Sequence, residues 1–144
     1  MMTLETLPVF VYGTLQRGEA RAGLWPCLPL EVRWATAKGK LYDLGEYPAL
    51  VDGTDRILGE LWFIAAADLC LTLQVLDSIE GFGQQGEANL YNRDTIECIT
   101  LCGEAQRAYT YRFASPADIA AAPQVAAGPD ELVHWQQTKD LRNS

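Results

Sequence analysis

The sequence predicts an α+β fold built on a mixed β-sheet or barrel. Strand-like runs recur through the first 64 residues, one long helical pattern follows, and further strand-like runs come after it. With 144 residues, 49% of them hydrophobic and 21% charged, the chain has the size and composition of one ordinary globular domain. We find no internal repeat. We therefore expect a single domain over residues 1–144, of which 114–144 form a C-terminal extension.

The first predicted strand is the β-branched and aromatic run at residues 7–12, which Gly13 stops. Residues 18–26 contain two glycines and a proline, and they have room for at most two helical turns. Residues 32–42 then place larger side chains on one face of a strand and mostly Ala and Gly on the other. A face of such small residues predicts close packing, as inside a small barrel.

Two more strands are predicted before the helix. Residues 49–51 form a short strand, and Asp52-Gly53 directly after it is a hairpin signal. Residues 57–64 are apolar on both faces apart from Glu60, which is typical of a central strand.

After these strands, residues 65–79 show the periodicity of an amphipathic helix. Residues 92–102 and 105–113 then form two strands, and Gly103-Glu104 between them predicts a hairpin.

The C-terminal extension is alanine-rich and interrupted by prolines from 114 to 128, which predicts a loosely packed surface segment. At its beginning, Ser115-Pro116 followed by Asp118 has the capping hydroxyl, the first-turn proline and the early acid of a helix start. A short terminal helix is predicted around residues 131–137.

Charge and scarce residues exclude several function classes. The net charge of −8 argues against nucleic-acid and anionic-membrane partners, because both need a concentrated basic face. His134 is the one histidine, so one chain cannot form a two-histidine metal site, and no serine lies in a nucleophile elbow. Carboxylates, tyrosines, cysteines or backbone groups must then carry any chemistry.

The sequence also carries no visible targeting segment, because the N-terminal apolar run is short and no run reaches the roughly 20 residues of a membrane span. We expect a cytoplasmic protein. Of the four cysteines, Cys98 and Cys102 are predicted to point to one face of a sheet. All four are read as small buried hydrophobes in a reducing compartment, with a disulfide or a reactive thiol as the alternative.

Glu80 is the first candidate functional residue, because it continues the apolar stripe of the predicted helix. At 100° per residue the stripe lies within about 60°, and a carboxylate on such a face is costly to desolvate unless its pKa rises. A proton-transfer catalyst needs that environment. The alternative is structural, since Gly81 ends the helix and the side chain could turn to solvent or bind the next loop. The stripe consists of Leu69, Leu73, Leu76 and Glu80, with Asp77 at its edge.

The loop after the first strand is the second candidate. Gly13 lets the backbone approach a ligand and turn successive N–H groups outward, and such a nest binds carboxylates or oxyanions. The spacing to Gly18 fits neither a Walker loop nor a dinucleotide fingerprint. Taken alone, a turn glycine after a strand is usually structural. The loop reads Tyr12-Gly13-Thr14-Leu15.

Aromatic residues give a third signal. Tyr109, Tyr111 and Phe113 alternate on one strand face, and Tyr47 precedes a proline at a turn. Phe113 is assigned to the core, while the tyrosines stay open between core and pocket wall.

Five groups of motifs follow one another between residues 8 and 113. They read Val9-Phe10-Val11-Tyr12-Gly13-Thr14-Leu15; Gly39-x-Leu41-Tyr42 with Tyr47-Pro48-Ala49-Leu50-Val51; Gly59-Glu60-Leu61-Trp62; Leu76-Asp77-x-x-Glu80-Gly81-Phe82; and Tyr91-x-Arg93 with Ala108-Tyr109-x-Tyr111. Together they resemble the γ-glutamylcyclotransferase-like superfamily, which includes the γ-glutamylamine cyclotransferases and the plant AIG2-like proteins.

The resemblance implies a small mixed β-barrel flanked by helices, with a pocket at one end. It implies that Glu80 is the general acid/base and that the amides of the Tyr12–Leu15 loop hold the glutamyl part of a small-molecule γ-glutamyl substrate. Arg17 or Arg21 would assist with the substrate carboxylate. Tyr47 and Tyr111 complete the expected substrate-binding set, and no metal or cofactor is expected.

The implied reaction is an intramolecular cyclisation of a γ-glutamyl amine or γ-glutamyl amino acid. The substrate's own α-amino group is the nucleophile, so the enzyme needs no serine or cysteine. The products would be 5-oxoproline and a free amine.

Two alternatives remain from the sequence. The first is a non-catalytic small-molecule-binding domain of the same fold, and the second is a cysteine-dependent amidohydrolase. The loop at 82–90 lies beside Glu80 and would influence which amine is accepted. The sequence is compatible with a monomer or a small homo-oligomer.

Overall fold

A computed structural model of the chain describes residues 4–83 and 88–136. Its α-helix, α1, spans Ala66–Ile79, and short 3-10 helices cover Ala22–Leu24 and Pro116–Ile119. The six strands are β1 (Val9–Val11), β2 (Glu31–Asp43), β3 (Pro48–Phe63), β4 (Tyr91–Thr100), β5 (Ala105–Phe113) and β6 (Leu132–Val133).

Five of the strands close into a barrel in the order β1-β5-β4-β2-β3, because β1 also pairs with β3. The pairing is mixed, since β1 runs parallel to β5 and antiparallel to β3. Strand β6 adds to β3 in parallel. The α+β fold with a small mixed barrel is thereby confirmed, and so are the helix predicted at 65–79 and the hairpin at Gly103-Glu104.

Strand β1 separates two apolar cores through its alternating side chains. Phe10 points into the barrel interior and is fully buried among Leu41, Leu50 and other residues of β2 and β3. Val9 and Val11 point outward and pack against the apolar stripe of α1. Gly59 of β3 makes room for β1, since a Cβ there would lie 2.5 Å from the Val11 carbonyl oxygen. The helix is therefore fastened to the strand that leads into the Tyr12–Leu15 loop.

The predicted hairpin at Asp52-Gly53 is wrong. Residues 48–63 form one continuous strand, and the turn that precedes it lies at residues 44–47. The register between β2 and β3 shifts at Gly39, which opposes Asp55, while the next residue of β2 opposes Val51. Gly53 lies in the extra residues of this bulge, packed so closely on Gly39 that a Cβ would lie 2.8 Å from its carbonyl carbon. The glycine thus serves a close approach inside a strand.

The C-terminal extension also differs from the prediction. Residues 132–133 form β6 beside Arg56 and Ile57 of β3, where a terminal helix was expected, and residue 137 lies outside the described part. Val133 and Trp135 are buried against the barrel core, so tertiary packing outweighs the weak local helical pattern. At Ser115 the predicted helix start yields a 3-10 helix without a side-chain capping bond.

The cysteines do not behave as a uniform set of buried hydrophobes. Cys98 is buried, whereas Cys102 lies exposed in the turn after β4, so the two do not share a strand face. Cys70 is exposed as well, and all four cysteines are free thiols.

Helix α1 has 14 residues. Within residues 4–83 and 88–136, no helix is long and apolar enough to cross a membrane.

Candidate active site

A pocket opens where β1 ends, between the loop that follows it and the C-terminal end of α1. The space between its lining atoms amounts to about 320 Å³, including volume open to solvent. The lining residues are Phe10, Val11, Tyr12, Gly13, Thr14, Leu15, Pro48, Glu80, Tyr91 and Tyr111. The structure therefore brings together Glu80 and the whole Tyr12–Leu15 loop, as the sequence predicts.

Glu80 caps the C-terminus of α1, and its backbone N–H donates to the Leu76 carbonyl oxygen at 2.9 Å. Helical spacing points its side chain into the pocket. Burial there raises the pKa of the Glu80 carboxyl to about 7, and the nearby positive charge of Arg21 opposes part of the rise. A group with this pKa can both accept and return a proton near neutral pH.

The Tyr12–Leu15 loop is shaped by hydrogen bonds to its carbonyl oxygens. Arg21 N–H donates to the Thr14 oxygen at 2.8 Å, and the Trp25 indole N–H donates to the Leu15 oxygen at 3.0 Å. No acceptor for the N–H groups of Thr14 and Leu15 is found among residues 4–83 and 88–136. The loop therefore offers unused backbone donors at the pocket, as an anion-binding nest does.

A buried carboxylate outside the pocket holds the far end of this loop. Glu60 of β3 is 2% exposed and accepts bonds from the Arg17 backbone N–H at 3.0 Å and from the Arg17 guanidinium at 2.9 Å. The Trp62 indole N–H donates to the same carboxylate at 3.0 Å. The expectation that Arg17 assists at the substrate is thus not supported, because its guanidinium is engaged by Glu60.

Arg21 is placed differently. Its guanidinium lies 3.4 Å from the Thr14 hydroxyl and 5.8 Å from the centre of the Tyr47 ring. Its charge also lowers the pKa of Glu80, so Arg21 acts on the pocket carboxylate although it does not line the pocket.

The pocket tyrosines donate their hydroxyl hydrogens to the protein. Tyr12 donates to the Tyr111 carbonyl oxygen, Tyr91 to the Pro48 carbonyl oxygen at 2.6 Å, and Tyr111 to the Asp77 carboxylate at 2.7 Å. Burial raises the pKa of all three, so they are neutral at pH 7. Their rings form a fixed wall, and a ligand can use only the remaining lone pairs of the hydroxyl oxygens.

Comparison with known proteins assigns the family. Residues 9–136 match the family model described as "Gamma-glutamyl cyclotransferase, AIG2-like". The chain belongs to this family. It is accordingly an enzyme of the γ-glutamylcyclotransferase type, as the sequence motifs predict.

Two relatives of this cyclotransferase-family chain are informative. A Vibrio cholerae protein named "Putative gamma-glutamylcyclotransferase" is 38% identical over 90 residues, which are 62% of this chain and 70% of that protein. The "Gamma-L-glutamyl-butirosin B gamma-glutamyl cyclotransferase" of Niallia circulans is 34% identical over 108 residues. That alignment covers 73% of this chain and 65% of the Niallia enzyme, so the chain spans less than two thirds of its length.

Solved structures support the fold of the family. An AIG2-like protein from Mus musculus superposes with a TM-score of 0.63 at 20% identity, over 93% of this chain and 98% of that one. YkqA from Bacillus subtilis gives a TM-score of 0.57 at 26% identity, over 76% of this chain and 36% of that one.

Two tyrosines of this cyclotransferase-family site differ from the sequence expectation. Tyr47 does not line the pocket, and its ring lies 6.3 Å from that of Tyr91, which does. Tyr91 is not among the site residues that the sequence predicts, although it belongs to the Tyr91-x-Arg93 motif. Because Tyr91 begins β4, only the closure of the barrel brings it to the pocket.

That the protein uses no metal and no cofactor stays a prediction from the sequence. Among the residues that the structure describes, no three His, Cys, Asp or Glu side chains are grouped to hold a metal ion.

We predict that Glu80 makes the stability of the wild-type protein fall with rising pH relative to the Glu80→Gln variant. Its pKa rises from 4.5 to about 7 on folding, so the folded state holds the proton more tightly. The contribution of Glu80 to the free energy of unfolding is then fully present below about pH 4.5, and it is lost as the pH rises through 7. Urea unfolding at pH 4 and pH 8 should show a change of roughly 2–3 kcal/mol in the difference between the two proteins. A difference independent of pH would contradict this burial of Glu80.

Proposed function

We propose that the protein releases 5-oxoproline and a free amine from a γ-glutamyl amine or γ-glutamyl amino acid by intramolecular cyclisation. One observation carries the proposal: a carboxylate with a pKa of about 7 shares a small pocket with a loop of unused backbone N–H groups. The first can move protons, and the second can hold an anion or an oxyanion. Among the described residues, none that lines the pocket is a cysteine, which argues against the thiol-dependent alternative.

The pocket chemistry suits the glutamyl part of such a substrate. We place its α-carboxylate at the N–H groups of Thr14 and Leu15, with Arg21 as the countercharge. The rings of Tyr12 and Tyr91 would pack along its methylene carbons, and their hydroxyl oxygens can accept from the α-ammonium. A net charge of −8 repels an anion at long range, so short-range donors have to compensate.

The proposed reaction needs no group beyond these. Glu80 takes a proton from the α-ammonium, and the freed amine attacks the γ-carbonyl carbon to close a five-membered ring. The C–N bond to the leaving amine then breaks, and Glu80 delivers the proton to its nitrogen. The second ammonium proton follows, so the amine leaves protonated and the ring amide remains. Water is not consumed, and ring closure within one molecule supplies the proximity effect.

The proposal is tested by incubating the protein with a panel of γ-glutamyl amino acids and γ-glutamyl amines and measuring 5-oxoproline by mass spectrometry. We expect stoichiometric 5-oxoproline and amine from at least one member of the panel. Treatment with a cysteine-alkylating reagent should leave this activity in place, because no thiol lines the pocket. A ligand that binds and is recovered intact, with no 5-oxoproline from the whole panel, would instead favour a binding domain.

A further inference from the structure

We propose that Arg93 is a positioning residue that clamps the chain on both sides of Glu80 and so fixes the acid/base in the pocket. The inference rests on the proposed function of Glu80. Arg93 lies on β4, in the barrel wall, and Glu80 lies on the segment that leaves α1. The geometry points to this role through contacts on either side of Glu80.

The first contact is to the residue three before Glu80. Arg93 Nη1 lies 3.1 Å from Asp77 Oδ2 and 3.2 Å from Asp77 Oδ1. The side chains are only 25% and 18% exposed, so water screens this ion pair less than one on the surface. One turn of helix separates Asp77 from Glu80, so holding the first limits rotation of the second.

The second contact is to the residue two after Glu80. The Arg93 guanidinium carbon lies 5.7 Å from the centre of the Phe82 ring, within cation–π range. The Phe82 backbone N–H donates to the Asp77 carbonyl oxygen at 2.9 Å, which closes the turn around Glu80. One guanidinium therefore holds both ends of the turn.

Asp77 also connects this clamp to the pocket wall. It accepts the Tyr111 hydroxyl at 2.7 Å, and Tyr111 is the cross-strand partner of Arg93 in the β4–β5 ladder. The buried leucines of α1 pack on the barrel through apolar contacts, which are non-directional. Asp77 thus supplies directional bonds near the helix end, where the position of Glu80 is decided.

Arg93 acts through geometry here and not through its charge on Glu80. The groups that shift the pKa of Glu80 are its buried surroundings and Arg21. Loss of the clamp should therefore free the segment and admit water to Glu80, which lowers its pKa from about 7 toward 4.5.

Arg93→Gln is the test, with two readouts on the intact chain. The first is steady-state turnover of the best γ-glutamyl substrate, where we expect kcat to fall about 10- to 100-fold while KM changes less than about threefold. The second needs no substrate: the carboxyl ¹³C titration of Glu80, assigned by its absence in Glu80→Gln, should move down by about one pH unit or more.

Arg107→Gln is the matched control, because it removes an arginine of the neighbouring strand whose ion pairs are to Glu5 and Glu97. It should change neither readout, and Arg93→Lys should restore part of the lost kcat. If Arg93→Gln does not fold, Asp77→Asn removes the same ion pair and should give the same two changes.

The proposal is overturned if Arg93→Gln, or Asp77→Asn in its place, is folded and the pKa of Glu80 is unchanged. If the wild-type protein makes no 5-oxoproline, the proposed function fails, while the titration still decides whether Arg93 holds Glu80.

Discussion

Replacing Glu80 with Gln is expected to lower kcat/KM by about 10²- to 10⁴-fold, the usual contribution of a general acid/base. Gln keeps the size and the hydrogen-bonding shape of the side chain but can neither take the α-ammonium proton nor return one to the leaving amine. The loss should appear in kcat, since the backbone N–H groups that hold the carboxylate are untouched. Steady-state release of 5-oxoproline measures it.

Two further variants separate this role from a structural one. Glu80→Asp retains a carboxylate but draws it back by one methylene, so its activity should lie between those of the wild type and Glu80→Gln. Glu46→Gln removes an exposed carboxylate from the neighbouring turn and should leave turnover unchanged. Circular dichroism should show the same folded spectrum for all of them. A folded Glu80→Gln protein with more than about a tenth of wild-type kcat/KM would remove Glu80 from the mechanism.

Gly13→Ala is expected to lower kcat/KM by about 100-fold or more, because it strains the loop and the wall of the pocket together. A Cβ at Gly13 would lie 2.7 Å from both Cγ and Cδ of Pro48, and a proline ring cannot rotate away. The Pro48 carbonyl oxygen accepts the Tyr91 hydroxyl, so a shift there also moves the wall. The free energy of unfolding should fall by about 1–3 kcal/mol, the usual cost of overpacking.

Gly23→Ala is the matched control for this prediction. Nothing lies within 4 Å of a Cβ at Gly23, so the change should leave both turnover and stability near their wild-type values. Kinetics and urea unfolding of the two variants side by side give the comparison. Wild-type activity in Gly13→Ala would show that the Tyr12–Leu15 loop needs no close backbone approach.

The placement of Glu80 was predictable because it depends on local geometry. Helical spacing alone places Glu80 after Leu76 on the apolar stripe of the helix. In the structure, the leucines of that stripe pack against the barrel and Glu80 lines the pocket. The close approach at Gly13 was predictable for a similar reason, since a glycine directly after a strand lets another group come near the backbone, here the Pro48 ring.

The Asp52-Gly53 error shows where local signals fail. The dipeptide is a hairpin signal by its own propensity, but β3 pairs with β2 on both sides of it and takes up the extra residues in a bulge. The glycine matters there because another backbone, that of Gly39, comes close to it. Such a contact is decided by the register between β2 and β3, which the propensity of the dipeptide itself does not report.

Tyr91 and Arg17 illustrate the same limit within the site. No periodicity places Tyr91 beside Glu80, because they meet only after β4 joins the barrel. Arg17 is close to the loop in sequence, yet Glu60 of another strand takes its guanidinium away from the pocket. The positions of side chains held by long-range partners thus could not be predicted from the sequence, whereas those of the helix stripe and the loop could.

The central claim is that the substrate's own amine, and not water, attacks the γ-carbonyl carbon, with Glu80 moving the protons. Turnover in H₂¹⁸O of a substrate carrying ¹⁵N in its α-amino group tests this most directly. We expect 5-oxoproline with ¹⁵N in its ring and no ¹⁸O, formed at least about 100-fold more slowly by Glu80→Gln. Glutamate carrying ¹⁸O in its γ-carboxylate would instead show hydrolysis and contradict attack by the substrate's own amine.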